Sequence, residues 1–201
     1  GQGQKELLIE SGKNLSSFGE GADGELYVIS YGDGIIYKLV TGPTQPGTDF
    51  PERLSATGCV DPADPSEPAA NVLAYDVNMP LWSDGADKRR WLSLPAGGQI
   101  HINDDGDWDL PIGTVLMKEF SVGGQRVETR LFVHHDDGEW AGYSYEWLAD
   151  QSDAVLLPSS KTKDLGNGQS WYFPSRHDCL QCHTITAGRS LRLETGQLNR
   201  D

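Results

Sequence analysis

Residues 175–188 read SRHDCLQCHTITAG. Cys179 and Cys182 stand three positions apart, and His183 follows the second cysteine at once. On a helical turn, positions i and i+3 share a face, so two thiols at this spacing reach one edge of a flat ring. A histidine one position further projects beneath that ring, where an imidazole nitrogen meets an iron. Two thioethers and one axial ligand make a covalent haem c attachment, and C-x-x-C-H is its pattern. With three Cys and five His in the chain, chance places such a motif on the order of once in a thousand sequences. The stretch predicts a turn of helix in which Cys179, Cys182 and His183 bind one haem c, with His183 as the metal ligand.

Two other readings compete. Zinc could draw on Cys179, Cys182, His183 and His177, although adjacent Cys182 and His183 are awkward for one tetrahedral ion. A redox dithiol also uses C-x-x-C, but it opens a helix after a strand in an α/β fold. No βαβ pattern surrounds this motif. A second axial ligand is not to be found downstream, since residues 184–201 contain neither Met nor His. It lies upstream, lies beyond this piece of chain, or is absent. The upstream candidates are Met79, Met117, His101, His134 and His135. The loop VHHDDG (133–138) is favoured among them, because a loop histidine is free to turn towards a haem face. His177 sits too near His183 along the chain to cross the ring.

The 201 residues suffice for one domain or somewhat more. No apolar run approaches the ~18–20 residues of a membrane helix. The opening GQGQKELLIE has neither the charged start nor the apolar middle of a signal peptide. Because it begins with Gly, the chain reads as a processed or excised piece of a longer protein. A net charge of −14 repels phosphate backbones and anionic lipid, which excludes nucleic acid as an expected partner. Cys59 is left over from the close pair: a buried free thiol, or the partner of a cysteine outside this piece.

The pattern along the chain is mainly β. ELYVISY (25–31) and GIIYKLV (34–40) read as a hairpin, preceded by a short run KELLIES (5–11). Residues 1–40 are expected as one β unit, 41–75 as a Pro/Gly/Asp-rich linker, and 76–201 as a β-rich domain. Strands are expected at 98–103, 114–122, 126–134 and 140–148, with shorter runs near 154–157 and 170–173. YSYEW places Tyr143, Tyr145 and Trp147 on one strand face, to be read as core or, alternatively, as a sugar-stacking platform. INDDGDWD (102–109) has a calcium-like look but lacks the glycine such a loop requires, so a hairpin turn is expected. ADKRRW (86–91) reads as a solvated turn whose Arg89 or Arg90 is available to haem propionates. SLRLETGQLNR (190–200) reads as a helix despite Gly196.

Two resemblances add to this reading. SSFGEGADGELYVISYGDGIIYKLV (16–40) resembles the last blade of the β-propeller in soluble PQQ-dependent sugar dehydrogenases. NMPLWSDGADKRRWLSLP (78–95), WDLPIGTVLMKEF (108–120), ETRLFVHHDDGEWAGYSYEW (128–147) and CLQCHTITAGRSLRLETGQLNRD (179–201) resemble a bacterial family of exported proteins. In that family a similar propeller precedes a haem c domain. The resemblance implies a periplasmic or extracellular c-type cytochrome domain, with Cys179 and Cys182 as thioether attachments and His183 as proximal ligand. It also implies a redox protein or quinoprotein domain as electron donor or acceptor, in a setting of sugar or polysaccharide oxidation. The rival functions are a haem enzyme acting on peroxide, the acceptor half of a sugar dehydrogenase, and a zinc-stabilised carbohydrate-binding module.

Overall fold

Alternating apolar and polar side chains, punctuated by glycine turns, set the architecture. The computed structural model describes residues 11–22, 24–39, 50–166, 168–184, 188–191 and 193–199. The chain divides into two units, Gly1–Thr41 and Gly42–Asp201. The protein is mainly β, as expected. The described helices contain no span long and apolar enough to cross a membrane.

In the first unit, β1 (Leu15–Glu20), β2 (Leu26–Ser30) and β3 (Ile36–Lys38) form an antiparallel meander. Gly34 takes a φ of 70° in the β2–β3 turn, a backbone that glycine adopts without steric cost. Asp33 holds this turn by accepting hydrogen bonds from the Tyr37 hydroxyl (2.6 Å) and the Ile35 amide (3.2 Å). Phe18, Ile29 and Ile36 remain exposed. The run expected at 5–11 lies, except for Ser11, outside the described residues.

The second unit is built on a six-stranded antiparallel sheet. Its strands are β4 (Leu73–Ala74), β5 (Asp87–Ser93), β8 (Val115–Val122), β9 (Gln125–His134), β10 (Trp140–Trp147) and β11 (Ala154–Leu156). Their spatial order is β11-β10-β9-β8-β5-β4. Two hairpins accompany the sheet: β6 (His101–Ile102) with β7 (Trp108–Asp109), and β12 (Lys161–Gly166) with β13 (Gln169–Phe173). Gly123 and Gly124 close β8 onto β9 with φ of 58° and 79°. A two-residue turn whose twist matches the strands needs positive φ at both positions. The calcium-like stretch is the β6–β7 hairpin, its turn closed by the Gly106 amide on the Asn103 carbonyl (2.9 Å).

Both faces of the sheet are covered, by different parts of the chain. On one face Trp91, Met117, Leu131 and Tyr143 line up across four strands. They pack with Tyr145, Trp147, Leu54, Cys59 and Val60. Tyr143, Tyr145 and Trp147 are therefore core, and no stacking platform for sugar exists on that face. Residues 50–60, expected within a linker, form this cover despite having only one 3₁₀ turn, Leu54–Ala56. Cys59 is a buried free thiol within it, packed in the core cluster. The opposite face carries Leu92, Leu116 and Phe132, which pack with Cys179, Leu180 and Leu193.

The motif helix α1 (Arg176–Cys182) and a single turn, α2 (Thr195–Leu198), complete the unit. The helix expected across 190–200 is thus only four residues long. Arg189 and Leu191 have φ of 51° and 58°, and Glu194 bridges to Asp107 in extended conformation, so helix cannot start earlier. ADKRRW is not a solvated turn: most of it is β5, paired along its length with β8. Replacing Leu54, which is fully buried, by Ala should cost roughly 2–5 kcal/mol of unfolding free energy. Urea denaturation of the variant measures it, and an unchanged midpoint would show that residues 50–60 do not cover the sheet.

Candidate functional site

The motif helix starts where its sequence says it should. Ser175 is its N-cap: the side chain accepts from the Asp178 amide (3.2 Å), and Asp178 Oδ2 accepts from the Ser175 amide (2.8 Å). This reciprocal pair satisfies two of the amides that a helix start leaves open. The Tyr172 hydroxyl, on β13, donates to the same Asp178 oxygen (2.7 Å). The spacing S-x-x-D at 175–178 was a legible signal for this cap.

Cys179, four residues on, is buried against β10 at Gly142. A Cβ at residue 142 would lie 2.5 Å from Cys179 Sγ, closer than any real contact allows. Gly142 pairs with Phe132, and Phe132 with Leu116, so the cysteine continues the apolar row at the point where the sheet lacks a side chain. Burial pushes the Cys179 thiol up to about 11. A redox-active dithiol needs the reverse, a lowered value that exposes thiolate.

Cys179, Cys182 and His183 all line one cleft of about 330 Å³. Cys182 is exposed and His183 partly buried. The His183 Nδ1 lies 2.5 Å from the Arg189 carbonyl oxygen. A carbonyl only accepts, so Nδ1 carries the proton and donates. Burial pushes the imidazole down to about 4, reinforced by the charges of Lys118, Arg130 and Arg189 and opposed by the Arg189 bond. The ring is neutral at physiological pH, with Nε2 bare. A neutral imidazole whose other nitrogen donates to a carbonyl is the form in which histidine ligates metals.

The floor of the cleft is the cationic part of the sheet face. Arg90, Lys118 and Arg130 stand directly opposite one another on β5, β8 and β9. Like charges placed directly across strands are destabilising. Arg130 is offset by Glu128 (2.8 Å), which is fully buried and also accepts from Trp171 Nε1 (3.0 Å). Arg90 is offset by Asp76 (2.9 Å). Lys118, between them, has neither ion pair nor hydrogen bond among the described residues. Burial pushes its ammonium down to about 8, with Arg130, Arg90 and Lys88 adding repulsion and Glu128 opposing it. Arg89, the other arginine expected near propionates, turns to the opposite face and pairs with Glu119 (2.9 Å). Asp178 and Glu194 also border the cleft.

The five candidate distal ligands separate clearly. Met79 lines the cleft. Met117 also borders it, but its side chain belongs to the core on the other face. His101 is exposed on β6, away from the cleft-lining residues. His134 stacks on Trp140 (4.5 Å, 12°) and faces the Leu110 carbonyl through Nδ1 (3.1 Å). His135 Nε2 meets the Tyr143 hydroxyl at 2.9 Å. The favoured VHHDDG loop is thus engaged elsewhere. Trp140 stacks in turn on Phe132, which contacts His183 (ring centroids 4.0 Å). The side chain of His177 lies outside the described residues. Among the described residues no three Cys, His, Asp or Glu side chains converge to hold a single metal ion.

Comparison of the chain with protein-family models, curated proteins and solved structures finds no match. Two outcomes test the site as built. Gly142→Ala should destabilise the protein by about 1–3 kcal/mol through overpacking and raise the reactivity of Cys179 towards a thiol reagent. Lys118 should make stability rise with pH between about 8 and 10.5. Over that range the unfolded chain holds a proton that the folded chain has lost. Lys118→Met should flatten this part of a pH–stability profile.

Proposed function

We propose that this protein holds one covalent haem c in the cleft and carries single electrons outside the cytoplasm. The observation that carries the reading is the meeting of Cys179, Cys182 and His183 on one cleft, with the His183 ring neutral and its Nδ1 committed. The surroundings fit the group. Leu116, Phe132 and Leu193 offer an apolar wall, and Arg90, Lys118 and Arg130 offer cations to the two propionates. Attachment adds each thiol S–H across one haem vinyl group: sulfur bonds to one vinyl carbon, hydrogen to the other, and nothing leaves. Bound there, the haem supplies a one-electron Fe(III)/Fe(II) couple.

The chain's own residues then have distinct tasks. Cys179 and Cys182 fix the ring covalently, which prevents its loss outside the cell. The Arg189 carbonyl orients His183 and raises the basicity of Nε2. Gly142 sets the depth of α1. Lys118, a cation lining the cleft, would offset propionate charge and favour the reduced state of a haem held there. Among the described residues the three motif side chains share a cleft without converging on a single ion, which favours haem over zinc, and the dithiol reading is disfavoured because Cys179 is buried and hard to ionise. The electron donor or acceptor is a redox protein or a quinoprotein domain, and the setting is sugar or polysaccharide oxidation. The meander of β1–β3 supports that setting as part of a propeller blade whose exposed Phe18, Ile29 and Ile36 pack against neighbouring blades.

A reduced pyridine haemochrome spectrum with an intact mass, on protein exported from a host with haem c maturation, tests the proposal. A c-type spectrum and the mass of the chain plus one haem are expected, and the double variant Cys179→Ser, Cys182→Ser should lose the covalent haem. A colourless protein containing one zinc per chain would overturn the reading. In the haem-loaded protein, Lys118→Met should lower the reduction potential in a spectroelectrochemical titration, because a cation near the iron is removed.

A further inference from the structure

We infer that Met79 supplies the sixth ligand to the haem iron, from upstream of the attachment motif. This rests on the haem reading above. Met79 is 79% exposed and stands beside the exposed Leu81 and Trp82. Contiguous exposed apolar side chains on a small domain mark a surface meant to be covered. The backbone beneath them is nonetheless firmly held. The Asn78 amide donates to the Gln197 carbonyl (2.9 Å), and the Asn78 side chain donates to the carbonyls of Gly196 (2.8 Å) and Asn199 (3.1 Å). The Met79 amide donates to Gln197 Oε1 (3.0 Å). Pro80 follows and removes another degree of backbone freedom.

Four hydrogen bonds, two from main-chain amides and two from the Asn78 side chain, thus tie residues 78–79 to α2 and its C-cap Asn199, and leave the thioether without a partner on a cleft that His183 also lines. A side chain so placed gains nothing from burial in the protein. Packed on a haem it gains both burial, about 1.5–3 kcal/mol for a Met, and a bond from a soft sulfur to iron. The other candidates are occupied. His134 and His135 are engaged by Trp140, Leu110 and Tyr143, and Met117 fills the opposite face of the sheet. The clamp also accounts for α2: that single turn, following the motif in sequence, positions a ligand that precedes it.

The test uses the haem-loaded chain, with methionine labelled at the methyl carbon. Only Met79 and Met117 carry the label. The wild type should show a low-spin ferric spectrum with a sulfur-to-iron charge-transfer band. Its ferrous form should show one methyl resonance shifted far upfield by the haem ring current. Met79→Leu should keep the haem mass but lose the band and that resonance and turn high-spin. Met79→His should stay low-spin without the band, at a lower potential. Met117→Leu should retain both signatures. Persistence of the band in Met79→Leu, or its loss in Met117→Leu alone, overturns the assignment while haem attachment stands. A wild type that carries haem but is high-spin overturns it equally. A chain that acquires no haem at all removes the reading beneath it, and the intact mass distinguishes the two failures.

Discussion

The placement of the motif depends on a side chain that is missing. Where the apolar row Leu92–Leu116–Phe132 reaches β10, the sheet presents Gly142, and Cys179 occupies the volume a Cβ would fill. That contact fixes how closely α1 approaches the sheet, and therefore where Cys182 and His183 emerge. The Ser175–Asp178 cap fixes where the helix begins. With one end capped and the middle seated, a helix of two turns needs no intrinsic stability of its own; tertiary packing supplies it. A cofactor site held this way is positioned by the rigid sheet rather than by the loop that follows it.

The sheet separates stability from chemistry by the period of two. Up to the bulge at Phe120–Ser121, odd-numbered positions on β5, β8, β9 and β10 enter the core covered by residues 50–60, and even-numbered positions face α1 and the cleft; beyond it the parity of β9 reverses, so that Val127 packs with Phe120 and Trp171. The even face carries Arg90, Lys118 and Arg130 side by side in a chain whose net charge is −14. Gathering scarce cations where they repel one another is unfavourable in the folded protein alone. Glu128 and Asp76 offset two of them, and Lys118 is left over. An arrangement of that kind is stabilised by an anion arriving from outside the chain. The carboxylates of the haem proposed above would supply one, and the same contact that relieved the repulsion would also orient the ring.

The strands with the clearest alternation were legible. β8, β9 and β10 follow from their apolar period and from the glycines and aspartates between them, and the motif itself announced α1. β5 was hidden because DKRR (87–90) looks solvated. Its arginines are held by pairing with distant residues, Arg89 with Glu119 on one face and the buried Arg90 with Asp76 on the other, and pairing between distant segments leaves no local trace. Residues 50–60 were hidden for a related reason. An irregular segment can bury Leu54, Cys59 and Val60 without any period. The division between Met79 and Met117 was equally out of reach, since Met117 has Leu116 and Lys118 as neighbours and only the sheet register shows which of them faces the cleft.

His134 illustrates how a reasonable expectation can fail on packing grounds. A loop histidine is free to turn only if nothing claims its ring, and here Trp140 stacks on it while the Leu110 carbonyl faces its Nδ1. The same stack runs through Trp140 to Phe132 and His183, so the histidine that does not reach the cleft packs behind residues that line it. Met79 presents the opposite case, a backbone tied down through its amide and a side chain unengaged. For a side chain proposed to wait for a metal centre, that combination is the useful one. A free loop would lose conformational entropy on ligation, whereas a clamped backbone with an open side chain has already lost it in folding.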